Sequence, residues 1–289
     1  LYHGFPGYIA QVRLCKGVLE FRPVSLVSES DRDVFVRMEN RPKLRFKLTN
    51  AQRETLTGAS VLFTLDGKEV SRVAVPDQAA GASCPIEVAF DTSLRPDTYA
   101  LRARVEIPGS AMYASEEAFS FTVVPRRPAR MPVVMWGLYG AANVLKELPR
   151  LKEIGFTHSL GFGANASQVF EAGQAGLPDA PERVAEVKRM LNAALANDFG
   201  VIASLSPGHW AADAKKTFRR VDAKGASNDA KPALCAAFPE MQTLSYNVGA
   251  SVARAYGAFP AWQAALLHTE VRDGANVCWH EHDRAGCRQ

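Results

Sequence analysis

The chain has 289 residues, 47% of them hydrophobic and 22% charged, with a formal net charge of +4. That length leaves room for about two domains at roughly 150 residues each, and the composition excludes a disordered or collagen-like polymer. No apolar run approaches the roughly 20 residues that cross a bilayer, and Lys and Arg are spread rather than clustered, which argues against a nucleic-acid partner.

The chain opens on Leu1 with no charged-then-apolar leader, so it reads as cut from a longer polypeptide. Gly4 to Leu14 reads as one short strand. Its aromatic-Gly-Ile pattern leading into Val12-Arg13-Leu14 resembles the closing strand of laminin-G-like lectin domains, which implies that residues 1–24 are the tail of such a domain.

From about Val34 to Val124 the period is that of strands. Leu44-Arg45-Phe46-Lys47-Leu48 alternates apolar and cationic residues, and Val61 to Leu65 runs into Asp66-Gly67, a strong two-residue hairpin turn. Val73 to Val75, Ile86 to Phe90, Thr98 to Val105 and Ala118 to Val124 complete six or seven short strands. The expectation for 25–125 is an immunoglobulin-like β-sandwich. Three prolines within residues 125–132 then predict a stiff extended linker over 126–132.

After the linker the period changes. Val133 to Gly137 is a continuous apolar run, as for a strand covered on both faces. A helix follows with Val144, Leu148 and Leu151 on one side, Asn143 as its cap, Pro149 predicting a kink or a late start and Gly155 as a left-handed stop. Phe156 to Phe162 is a second strand. Asp179-Ala180-Pro181-Glu182 looks like a capping box for a helix carrying Val184, Val187, Leu191 and Leu195. Val201 to Leu205, a helix from Pro239 to Tyr256, and Ala261 to Thr269 follow. This alternation implies parallel strands with right-handed crossovers. The long strand-to-helix loops 163–178 and 206–238 suggest the loops that wall the active site of an α/β barrel.

Ala264 to Asp273, with His268-Thr269-Glu270 at its centre, is similar to the fourth strand of clan-A retaining glycoside hydrolases with (β/α)8 barrels. The resemblance implies the first four strands of a TIM-type barrel over 133–289, with Glu270 as general acid/base. Thr269 stands where that family usually has an asparagine that contacts the sugar. Retaining hydrolysis needs two carboxyl groups about 5–5.5 Å apart, and the seventh-strand nucleophile lies beyond Gln289. The implied parent is therefore a secreted or periplasmic glycosidase, the fragment itself being inactive and prone to self-associate through exposed barrel edges. The alternative is a non-catalytic carbohydrate-binding or cell-surface module. Tyr139, His209, Trp210, His280 and His282 are the further residues expected to face a sugar; Trp136 is expected in the core. No cofactor is implied.

Five scattered cysteines, Cys15, Cys84, Cys235, Cys278 and Cys287, make no disulfide framework. Pairing of Cys278 with Cys287, or of Cys235 with either, stays open. Cys278, His280, His282 and Cys287 could bind zinc tetrahedrally. Their C-x-H-x-H-x4-C spacing is not a familiar finger, however, and on an extended segment His280 and His282 would point oppositely. The segment is therefore read as a polar loop with no metal assigned. Gly161-Phe162-Gly163 follows a strand but lacks the third glycine of a dinucleotide fingerprint.

Overall fold

The computed structural model describes residues 23–40, 42–109, 116–227, 233–235, 237–267 and 278–286. The segment resembling a laminin-G tail therefore lies almost wholly outside the described residues. The chain divides into two compact units. One comprises Leu1–Glu29, Lys43–Val88 and Ala100–Phe119; the other comprises Ser30–Pro42, Ala89–Tyr99 and Ser120–Gln289.

The β-rich part is built from β1 (Val24–Ser28), β2 (Val34–Val36), β3 (Lys43–Asn50), β4 (Ser60–Leu65), β5 (Lys68–Ala74), β6 (Ser83–Ala89), β7 (Asp97–Glu106) and β8 (Glu116–Val124). These form a three-stranded sheet of order β1-β3-β6 and a five-stranded sheet of order β2-β8-β7-β4-β5. Strict alternation makes β3 and β6 two-faced. Leu44, Phe46, Leu48, Ile86, Val88, Val61, Phe63, Leu101, Ala103 and Val105 are buried, while Lys43, Arg45, Lys47 and Glu87 point to water. Phe46 of the smaller sheet meets Phe63 and Phe119 of the larger at ring-centroid distances of 5.2 and 4.6 Å.

The hairpin between β4 and β5 turns at Asp66 and Gly67, with φ of 50° and 76°, the paired positive values that a two-residue turn of matching twist requires. Tyr99 Oη donates to Arg95 O at 2.8 Å, the backward hydrogen bond of a tyrosine corner. Buried Asn50 closes the end of β3: its Nδ2 donates to Glu54 O, Gln78 O and Ala79 O, and its Oδ1 accepts from Gln52 N. This part is an immunoglobulin-like all-β domain.

The remainder alternates: β9 (Val134–Met135), α1 (Ala141–Glu153), β10 (His158–Gly163), α2 (Ala166–Ala172), α3 (Pro181–Ala196), β11 (Gly200–Ser204), α4 (Gly208–Ala214), a 3-10 turn (Lys216–Phe218), α5 (Pro239–Tyr256), β12 (Trp262–Leu266) and α6 (Glu281–Gly286). The strands lie in the order β12-β11-β10-β9, every neighbour parallel.

This corrects the expected half barrel. Among the described residues the four strands form an open sheet, β9 pairs with β10 at only two positions, and no barrel half is evident. Strand–helix alternation demands parallel pairing with crossovers, but it sets neither curvature nor closure. Long loops after strands belong equally to open sheets.

Helices cover the sheet with their apolar stripes. Val144, Leu148 and Leu151 of α1, Val184, Met190 and Leu191 of α3, and Val252 and Tyr256 of α5 are buried with Phe162, Val201 and Ala203 of the strands. Burial pushes the Tyr256 phenol well above its ordinary range, with Asp179 adding to the effect. Pro149 sits inside α1, which continues through it to Glu153. The cap is Gly140, not Asn143, whose Nδ2 instead donates to Tyr139 O at 2.8 Å. No side-chain capping bond opens α3; Pro181 at its first turn and Glu182 near the positive helix end do so.

The glycines of β10 have a packing reason. A Cβ on Gly161 would lie 2.4 Å from Val201 Cγ1, and one on Gly163 would lie 2.6 Å from Ser204 O. They let β10 and β11 approach closely rather than cradle a phosphate. His158 is a satisfied core histidine: it is buried, its Nε2 donates to Gln263 Oε1 at 2.7 Å, and its Nδ1 meets the Thr157 hydroxyl at 2.7 Å.

Candidate functional site

Parallel sheets present their loops for ligands at the carboxyl ends of the strands. At the end of β9 the chain passes through Trp136, Gly137, Tyr139 and Gly140, with Gly137 and Gly140 at φ of 91° and 86°. The two aromatic side chains are 53% and 56% exposed. Trp136 therefore does not enter the core as its apolar neighbours suggested. The bond from Asn143 to Tyr139 O fastens the loop to the first turn of α1.

After β11, Trp210 of α4 stands 5.6 Å from the Phe170 ring, with Lys215 Nζ over both rings, and packs on a small core of Val169, Ala211, Met241, Leu244 and Val248. Its indole thus has a packing role at this end of the sheet. His209 also lies in α4. Thr269 and Glu270 lie outside the described residues.

The loops leaving β11 and β12 meet at a cluster that the sequence showed only in part. Cys235 is held by a bond from its backbone N to Phe218 O at 2.8 Å, and Trp279 N donates to Val221 O at 3.0 Å. Between these anchors the donor atoms of Cys235, His280, His282 and Asp283 all lie within 4.8 Å of one another. Cys235 Sγ is 3.2 Å from Asp283 Oδ2 and 3.4 Å from His282 Nε2. His282 Nε2 is 3.3 Å, and His280 Nδ1 3.9 Å, from the same carboxylate oxygen. Cys278 Sγ lies 2.9 Å from His280 Nδ1.

The two imidazoles do not diverge. The chain turns into α6 at Glu281, and their rings stack 5.1 Å apart at 14°, with Phe238 set edge-on against both. Desolvation pushes the Cys235 thiol up to about 12, with hydrogen bonds to Asp283 and Cys278 also raising it and a backbone bond opposing. At Asp283 burial acts upward, but hydrogen bonds from Cys278 and Cys235 and the nearby imidazoles hold the carboxyl below its ordinary value. A soft sulfur, two imidazoles and a carboxylate form a donor set suited to a zinc-type ion. Cys235 and Asp283 are the donors that the sequence reading did not include, and Cys235 was out of its reach because it comes from a distant loop.

No family model matches the chain, and no curated protein matches it. Among solved structures, the chain is similar to the CARDB domain of a Pyrococcus furiosus protein in complex with di-metal ions (12% identity, 38% of this chain and 100% of that one, TM-score 0.30). It is also similar to a domain of a putative cell surface protein from Methanosarcina acetivorans (16% identity, 36% and 90%, TM-score 0.29). A third is a GH2 beta-galacturonidase from Eisenbergiella tayi bound to galacturonate (8% identity, 84% and 39%, TM-score 0.37). At these identities and scores none assigns an activity.

The expected membership of a retaining glycoside hydrolase family is thereby corrected. The barrel on which it rested is not formed by the described residues, whose four parallel strands make an open sheet, and no family model matches the chain. Among those residues no helix is long and apolar enough to cross a membrane.

Proposed function

We propose that the chain is a non-catalytic carbohydrate-binding module of a secreted or cell-surface protein, with Trp136 and Tyr139 as its sugar platform. The observation that carries this reading is that both rings are more than half exposed, three residues apart, at the carboxyl end of a parallel strand. Large aromatic surface left in water marks a site for a partner more often than a packing accident. A flat ring matches the apolar C–H face of a pyranose and excludes water from it. The loop is fastened by Asn143, so less conformational entropy is lost on binding.

The test is affinity electrophoresis of the full chain through gels containing soluble neutral and uronic-acid polysaccharides, with tryptophan fluorescence as a second readout. Retardation by at least one polymer is expected, weakened about 2- to 10-fold by Trp136→Ala, as aromatic contacts worth about 0.5–1.5 kcal/mol imply. Failure to bind any polymer, or unchanged binding by the double variant Trp136→Ala/Tyr139→Ala, would remove the reading. Release of reducing ends would overturn its non-catalytic part.

The edge strand β12 pairs only with β11 among the described residues, and its Gln263, Ala264 and Ala265 are exposed. Such edges invite pairing, and we propose weak self-association there. A sedimentation coefficient that is independent of concentration would exclude it.

A further inference from the structure

The Cys/His cluster shares no residue with the sugar platform. Its separations suit coordination. With zinc bonded at about 2.3 Å to sulfur and about 2.0–2.2 Å to nitrogen or oxygen, tetrahedral ligand atoms lie roughly 3.3–3.6 Å apart. Cys235 Sγ to His282 Nε2 at 3.4 Å, Cys235 Sγ to Asp283 Oδ2 at 3.2 Å and His282 Nε2 to Asp283 Oδ2 at 3.3 Å fall on or beside that range. His280 Nδ1, 3.9 Å from the carboxylate, needs only a small ring movement to join them.

Hydrogen bonding alone accounts poorly for the arrangement. A buried thiol, a carboxylate and two stacked imidazoles converge their polar atoms on one point, although the carboxylate and both imidazoles are partly exposed and could point to water.

We propose that Cys235, His280, His282 and Asp283 bind one zinc-type divalent ion, which clips residues 278–286 to the long segment that follows β11. Four protein donors close the shell, which is the pattern of a structural rather than a catalytic zinc. The two sides of the clip come from separate loops, which the backbone bond from Trp279 N to Val221 O also joins. Phe238 shields the imidazole faces. Cys278 also hydrogen-bonds Asp283 and so holds that carboxylate from outside the shell; its contact with His280 Nδ1 gives way when that nitrogen takes the ion, because one lone pair serves one partner.

The experiment uses the full chain, purified under reduction and stripped with a chelator, then titrated with zinc chloride against a chromophoric competitor and separately with cobalt chloride. One equivalent of zinc is expected. The cobalt form should show the absorption of a tetrahedral site with a thiolate-to-cobalt charge-transfer band. Cys235→Ser and His282→Ala should each weaken zinc by more than about 100-fold, beyond the about 10–100-fold that loss of an orienting group causes. Cys278→Ser should stay within that smaller range.

Because Cys235 is buried, its variant is paired with His282→Ala, whose site is partly exposed, and both are checked for unchanged circular dichroism. Zinc should also protect the exposed Arg284 from trypsin in the wild type but not in either variant. Sub-stoichiometric zinc, an octahedral cobalt spectrum without the charge-transfer band, or wild-type affinity in both variants would overturn the site. Loss of binding in Cys278→Ser but not in Asp283→Asn would overturn the ligand set.

Discussion

The two compact units solve the same problem, keeping apolar surface from water, with different completeness. The β-rich part buries alternating residues from two sheets, and among its described residues the large apolar side chains left exposed are the aliphatic Val27, Met38 and Val70. Its outer faces carry ion pairs such as Lys43–Glu87 and Arg102–Glu116. The α/β part also buries its helix stripes but leaves the aromatic residues Trp136, Tyr139, Tyr246 and Trp279 exposed and gathers thiol, imidazole and carboxylate in one loop cluster. A sheet stapled to a second sheet is finished by its own pattern. An open parallel sheet keeps one end for loops, and loops are where side chains can be placed for partners rather than for packing.

That contrast can be broken by measurement. The largest effect is expected at Phe46, which is 1% exposed and wedged against Phe63 and Phe119. Phe46→Ala should cost about 3–5 kcal/mol in denaturant unfolding, and a loss below about 1 kcal/mol would mean that the sandwich core is not close-packed there. Asn50→Ala should cost about 1–3 kcal/mol, because the buried side chain's bonds to the Glu54, Gln78 and Ala79 carbonyls and from Gln52 N are all lost. A neutral result would show that water replaces the amide.

In the α/β unit, Gly163→Ala should lose about 1–3 kcal/mol as its methyl meets Ser204 O. Gly176→Ala faces open space and should stay within about 0.5 kcal/mol. Equal values for the pair would refute close strand approach as the reason for Gly163.

The smallest effect concerns Glu87. The hydrogen bond and charge of Lys43 hold its carboxyl below the ordinary value, with Arg45 assisting. Its contribution is therefore present above the unfolded carboxylate range and lost as the pH falls through the lowered folded value. As the pair is exposed, salt should reduce the effect. A carbon-detected titration should find Glu87 below a free glutamate at low salt and nearer to it at high salt.

Much of the architecture was legible because it rests on local periodicity. Leu44-Phe46-Leu48, the Asp66-Gly67 turn and the stripe Val144-Leu148-Leu151 each announce their element within a few residues. The cap of α1 was misplaced because Gly140 at positive φ satisfies the helix start without a side chain. Trp136 was read as core because its neighbours are apolar, whereas a strand of only two residues ends before it. The half barrel was an inference about closure, and closure depends on strands that pair at a distance.

The sequence by itself determined the strand and helix periods, the change of character at the prolines and the presence of two imidazoles beside a thiol. Only the tertiary structure decided that the parallel sheet is open, that Trp136 faces water, and that Cys235 joins His280, His282 and Asp283. The reason is physical. Periodicity is set by neighbours along the backbone, whereas a donor cluster is set by loops whose sequence separation says nothing about their distance in space.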